Sequence, residues 1–563
     1  MVTLQRIVAK YPFAIFLSLI TIIAIWFVYG FFWEDWEKLI ASLVYGNLFS
    51  PPKDFWFDEI LLLQIPIISF LSNCFPKIPI YGIGHILVMM LYLSIWFHLC
   101  NRILVRRIKN DPLLIIALSI LIVWSIVGIS LVYINLSRAS ILLASGSILL
   151  YLDRYKFDNK KDWRLVLLFL FACLIRVSSG TIVLAACSVF LLILFRNLKQ
   201  TAGLIKSHWL IVIVCTLIVH SYKYTVDNPG LEIEQTYEYA MQDRGDVIPI
   251  SAMKSYNDSI RYIAVTEYFL ITDSAKIKLN FVKSLADMNR FFAYGITGED
   301  ISHLREFILP LMDMHKVIFC LLYALLFIAS FHCSRRTTIN LVGINAVGWA
   351  VIILLTMKVN MVDHFLLPWI TMLLAISLVV IGYDQRDLRT WQKICAPMLL
   401  IAILIVNGVS LRYIPRQEAE YNKAANVYLE NLDALSQKAT PILWDYDRLF
   451  LPSEVLFRDE HDPLKSCIYE TTFLIMYYKF AQERCLAKFG CSPLDYRGSC
   501  MSFHKNHDRI KFVANEKFAS FIEKYYKALY DLDFKLIKDI PITEITPGNF
   551  VYQLAPDSTS FEK

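Results

Sequence analysis

Two arginines stand where the chain leaves least room for charge. Arg138 lies in IleAsnLeuSerArgAlaSer (134–140) and Arg176 in LeuIleArgValSerSerGly (174–180), each flanked by apolar runs. An Arg at bilayer depth costs roughly 2.5–3.5 kcal/mol on insertion scales, so it turns toward a wet cavity or an anionic partner. Its planar donor fork suits phosphate oxygens, and Ser137, Ser140, Ser178 and Ser179 add small donors beside it. The plainer alternative is an internal carboxylate partner or a side chain snorkelling to the interface. A third polar corner is LysValAsnMetValAspHis (358–364), which offers Lys358 and His364; Pro368 frees backbone carbonyls just beyond it. Simple solvation of corner charges is the competing reading there. The acids come early. PheTrpGluAspTrpGluLys (32–38) sets Glu34 and Asp35 between Trp33 and Trp36, and LysAspPheTrpPheAspGlu (53–59) adds Asp54, Asp58 and Glu59. These acids read either as members of an interfacial aromatic belt or as carboxylates poised to take a proton from an incoming hydroxyl.

Such residues need elements to hold them, and the composition says which kind. Of 563 residues, 57% are hydrophobic and only 18% charged, against roughly 45–50% and about 25% in soluble domains. A disordered chain, a collagen, a coiled coil and a small disulfide scaffold are excluded. Apolar runs near the 20 residues of a spanning helix occupy 13–32, 81–100, 113–134, 204–222, 308–332, 339–357, 365–383 and 394–414. Shorter ones lie at 139–152, 165–175 and 180–195. The last of the pieces before Arg176, 165–175, is roughly 16 Å as a helix and 139–152 roughly 21 Å, which sets both arginines below the outer surface. Lys and Arg cluster in the connections at 102–109, 154–164, 196–206, 335–336 and 386–393. The net charge of +6 is therefore topological, and no nucleic-acid partner is expected. Putting those loops inside predicts an all-α polytopic bundle of about eleven spans, N-terminus in and C-terminus out. Residues 59–75, with Pro66, are then interfacial or re-entrant.

Three segments fall on the outer side: 33–80, 223–307 and 415–563. The chain thus divides into a membrane domain, 1–414, and a soluble extracytoplasmic domain, 415–563. The latter opens with a polar helix (Glu418 to Lys438), continues with strand and loop at 440–447, and closes with a strand at 550–553, a small α/β or α+β unit. Four of the 12 cysteines, Cys467, Cys485, Cys491 and Cys500, sit in it. In an exported domain they suggest one or two disulfides of unassigned pairing; zinc is the alternative, though the spacings are not those of short ligand pairs.

In layout the chain resembles the GT-C superfamily of membrane glycosyltransferases, which includes protein mannosyltransferases and aminoarabinose transferases. The resemblance rests on a first span leading to an outer loop with an early acid (Asp35, Glu34), interfacial helices at 39–75, short bundle helices and an outer C-terminal domain. GluAspTrp (34–36) matches the family's two-acid motif only loosely. The resemblance implies a polyprenyl-phosphate-linked sugar donor in the bilayer and a glycan, lipid or protein acceptor. Asp35 would be the general base, with Glu34 beside it. Arg138, Arg176 and Lys358 would stabilise the leaving lipid phosphate, with His364 and Asp58 nearby. It implies no cofactor beyond the donor and leaves a divalent cation open. The expected location is a bacterial inner membrane with the C-terminal domain periplasmic. Competing readings are a polysaccharide polymerase or ligase, favoured by the size of 223–307 with Arg244, Arg261, Arg290 and Arg305, a lipid-linked sugar transporter or flippase, and a non-catalytic assembly subunit.

Overall fold

A computed structural model describes residues 7–28, 31–33, 70–71, 74–75, 78–108, 111–195, 197–225, 250–266, 273, 275–285, 323–328, 330–331, 333–358, 363–384, 389–443, 468–469, 495–539, 544–546 and 548–555. It is mostly helical, with a small C-terminal sheet. The apolar runs become α1 (Tyr11–Val28), α2 (Ile80–Arg107), α3 (Pro112–Val132), α4 (Leu136–Asp158), α5 (Trp163–Ile175), α6 (Val177–Phe195) and α7 (Leu198–Thr225). After α8 (Tyr256–Thr266) come α9 (Arg335–Lys358), α10 (Asp363–Tyr383) and α11 (Thr390–Leu411). Among the described residues, six helices contain stretches long and apolar enough to cross a bilayer.

One expectation is corrected. The run 139–152 forms part of a helix of 23 residues, Leu136–Asp158, so α4 is not short. Asn135 caps its start, accepting from the backbone of Ser137 and Arg138, a role suited to its short amide side chain. At the other end, guanidinium groups of α2 neutralise Asp153, which carries the helix past the apolar run. α5, at 13 residues, is as short as expected.

Helix association in a bilayer relies on close packing and interhelical hydrogen bonds, and both appear. Ser94 Oγ donates to Ser18 Oγ between α2 and α1 at 3.1 Å. Trp96 Nε1 donates to the Leu142 carbonyl of α4 at 3.1 Å, with Gly146 against Ile95 and Trp96. Asn101 Nδ2 donates to the Val8 carbonyl at 3.1 Å. The basic connections gather with Val8 at one end of the bundle. There Asp153, fully buried, accepts from Arg102 Nε at 2.7 Å and Arg106 Nη2 at 2.5 Å.

At the opposite end sit two parallel backbone strands, β1 (Phe32–Trp33) and β2 (Tyr133–Ile134), paired Phe32 to Tyr133 and Trp33 to Ile134. α12 (Ile414–Ser436) packs against β1 and opens the C-terminal domain. That domain holds β3 (Thr440–Leu443), β4 (Ile468–Tyr469), α13 (Tyr496–Lys505), β5 (Ile510–Asn515), α14 (Glu516–Tyr530), β6 (Leu536–Lys538), β7 (Glu544–Thr546) and β8 (Asn549–Leu554). The sheet order is β4-β3-β5-β8-β6, with β7 beside β8; β3 runs parallel to β4 and β5, while β8 is antiparallel to β5, β6 and β7. Alternation along each strand splits the core. Leu443, Val513 and Val551 join Tyr428, Leu432 and Leu435 of α12, whereas Ile442, Phe512 and Tyr552 join Phe503 of α13 and Phe518, Ile522 and Tyr525 of α14. The result is a helix–sheet–helix sandwich, within the α/β or α+β expectation, with strands at 440–443 and 549–554 where the sequence places them.

Candidate functional site

The end of the bundle beneath the C-terminal domain collects the two anomalous arginines. α1 delivers the chain to β1, with the Trp26 ring edge-on to Phe31 at 5.8 Å. β2 runs directly into Asn135, whose carboxamide accepts from Ser137 N at 2.7 Å and Arg138 N at 3.3 Å. Arg138 therefore occupies the first turn of α4, half-buried.

Arg176 is the break between α5 and α6. Its backbone is extended, φ −155° and ψ 114°, while its N–H still donates to the Ala172 carbonyl. Its Nε donates to Ser178 Oγ at 3.0 Å and its Nη1 to Ser137 Oγ. Ser140 Oγ donates to the Ala172 carbonyl at 2.9 Å, which ties the first turn of α4 to the last turn of α5. Ser137 is thus a shared partner of the Arg138 turn and the Arg176 side chain. The sequence lists both residues as candidates, 38 positions apart, and the fold sets them side by side.

Positive charge gathers at this corner among the described residues. The N-termini of α4 and α6 both open here, and each carries about half a positive charge. Two guanidinium groups add to them. Ser179 Oγ, in the first turn of α6, is buried with no partner among the described residues. Cations beside converging helix N-termini form a setting for phosphate or another oxyanion. Arg176 also follows the C-terminus of α5, where a cation complements the helix dipole, so the residue serves the fold as well.

The remaining candidates divide in two. Lys358 ends α9 and His364 is the second residue of α10. Those helices begin and end, at their other extremes, by Ser334 and Asp384, whose backbone N–H and carboxylate are joined at 2.5 Å. Asp384 in turn meets Arg107 at the end of α2, so the backbones of Lys358 and His364 belong to the same end as Arg138 and Arg176. Their side chains lie outside the described residues. Glu34, Asp35 and Asp58 also lie outside them, as do Cys467, Cys485 and Cys491; Cys500 is buried in the domain core. No group of three or more His, Cys, Asp or Glu able to hold a metal occurs among the described residues.

Sequence reasoning treated Arg102, Arg106 and their neighbours as loop charges that mark orientation and passed over Asp153. The signal was available: Asp153 closes the apolar run LeuLeuTyrLeu (149–152), and an acid there needs a cation. No family model, curated protein or solved structure matches the chain.

Proposed function

We propose that this chain is an integral-membrane glycosyltransferase that moves a sugar from a polyprenyl-phosphate donor to a hydroxyl acceptor on the extracytoplasmic face. The observation that carries the reading is the β1–β2 pairing beside the Ser137–Arg176 link. The chain enters its acid-bearing loop from Trp33, one strand away from the Arg138 turn. Peptide geometry allows at most about 3.8 Å per residue, so Asp35, two residues on, starts within reach of that corner.

In this reading Asp35 accepts the acceptor's O–H proton as its oxygen bonds to the anomeric carbon. The bond from that carbon to the phosphate oxygen breaks, and polyprenyl phosphate leaves with the electron pair. Arg138, Arg176 and Lys358 stabilise the charge that builds on the phosphate, where fixed donors in a dry site act most strongly. Glu34, Asp58 and His364 complete the acceptor side, and the α/β domain over the corner recognises the acceptor. About eleven spans, an inside N-terminus and a periplasmic C-terminal domain in a bacterial inner membrane complete the proposal.

The test is sugar transfer in proteoliposomes with a polyprenyl-phosphate sugar. A general base supplies roughly 10²–10⁴-fold, so Asp35→Asn should lower turnover by that range while its thermal midpoint stays that of the parent. Unchanged turnover would remove Asp35 from the mechanism. Movement of the lipid-linked sugar across the bilayer without transfer would replace the enzyme by a transporter.

A further inference from the structure

At the other end of the bundle, α2, α3, α10 and α11 enclose a cleft of about 70 Å³. Ile103, Leu118, Leu378 and Leu400 are among its walls, and among the described residues the single charged lining residue is Arg107. Arg107 is 2% exposed. Its Nη1 donates to the Asp384 carbonyl at 2.5 Å, but its Nε and Nη2 have no hydrogen-bond partner among the described residues. Those two N–H groups lie on one edge of the guanidinium and point the same way, the fork that grips two oxygens of a phosphate or carboxylate.

Among the described residues, the acids at this end have other partners. Asp153 is held by Arg102 and Arg106, Asp162 by Arg154, and the Asp384 carboxylate accepts from Ser334 N. A buried guanidinium with two unmade hydrogen bonds is costly, and a bilayer supplies an anion at this depth. A hydrated inorganic ion gains nothing from aliphatic walls, whereas an acyl chain does.

We propose that this cleft is a binding site for an anionic glycerophospholipid. Its phosphodiester pairs with the Nε–Nη2 edge of Arg107, and the upper part of one acyl chain lies between α3 and α11. The site is at the opposite end of the bundle from the proposed donor corner and does not depend on the transferase reading.

The experiment uses the full chain in neutral detergent. Its thermal unfolding midpoint is followed with added phosphatidylglycerol, phosphatidylcholine or inorganic phosphate, and native mass spectrometry counts retained lipid. Phosphatidylglycerol should raise the midpoint by several degrees and remain bound one per chain, with phosphatidylcholine and phosphate ineffective. Arg107→Gln should abolish that preference, and so should Leu378→Trp, which fills the cleft and keeps the guanidinium. Equal shifts with the two lipids overturn the proposal, as does a shift reproduced by phosphate alone. Should Arg107→Gln not fold, the wild-type lipid arms and Leu378→Trp still decide: a full preference retained in Leu378→Trp rejects the cleft.

Discussion

Asp153 is a buried charge met by two opposite charges. Its carboxylate is fully buried between Arg102 and Arg106, and the Arg106 guanidinium also stacks 3.9 Å over the Phe157 ring. Deleting one partner of a buried pair costs roughly 3–5 kcal/mol because the survivors keep their desolvation penalty. Asp153→Ala should therefore lower the thermal midpoint sharply, since two guanidinium groups lose their acceptor together. Arg102→Ala should cost less, because Asp153 keeps Arg106, and the link to half-exposed Asp158 adds little. Equal midpoints for Asp153→Ala and the parent would show that the network contributes nothing. Residue chemistry was only half legible beforehand. Arg138 and Arg176 stood out because apolar neighbours make any charge anomalous. Asp153 did not, because it adjoins the basic residues of a connection, and one dimension does not distinguish a solvated loop acid from one folded back between two helices.

Elements were more legible than their ends. Hydrophobic runs located the apolar helices, because length and apolarity are the physical requirements of a span. The extensions of α2 and α4 beyond those runs depend on charges satisfied by another helix, which hydropathy does not record. The α5–α6 hairpin shows a further constraint. Arg176 interrupts the helices, and Gly180 then brings α6 so close to α5 that a Cβ at that position would collide with Cys173 Sγ. Cys173 is fully buried and has little room to yield. Gly180→Ala should cost about 1–3 kcal/mol as overpacking, read as a lower midpoint, and Cys173→Ala in that background should restore part of the loss. A Gly180→Ala chain as stable as the parent would mean that the two helices do not approach so closely. Because this hairpin also holds Arg176 against Ser137, under the proposed transferase reading the same variant should weaken donor binding.

Across the whole molecule, charge alternation predicted that 223–307 and 415–563 share a side, and their described parts pack together. The contact itself was invisible in the sequence, since it joins residues some 250 positions apart. Ile260, Ala264, Val265, Ile277 and Val282 enter the core of the C-terminal sandwich, and Asp273, fully buried, accepts from Tyr525 OH and Tyr530 OH at 2.6 Å each. Burial first, and the Asp273 carboxylate second, push both tyrosine hydroxyls above their ordinary value of 10.0. The sign follows from linkage. A group whose folded pKa is raised contributes stability that is intact below its unfolded pKa, and this stability is lost as pH climbs toward the folded one. The unfolded chain ionises these tyrosines near pH 10 while the folded chain keeps them neutral, so stability declines above about pH 10 by up to roughly 1.4 kcal/mol per pH unit for each tyrosine. Denaturant unfolding of the full chain between pH 7 and 11 should show that decline, together with protease access to 250–285. The Tyr525→Phe, Tyr530→Phe double variant should start less stable at pH 7, because Asp273 loses both donors, yet vary less with pH above 10. A double variant with the parent's alkaline slope would show that other ionisations govern the release and that Asp273 does not clasp its segment to the domain.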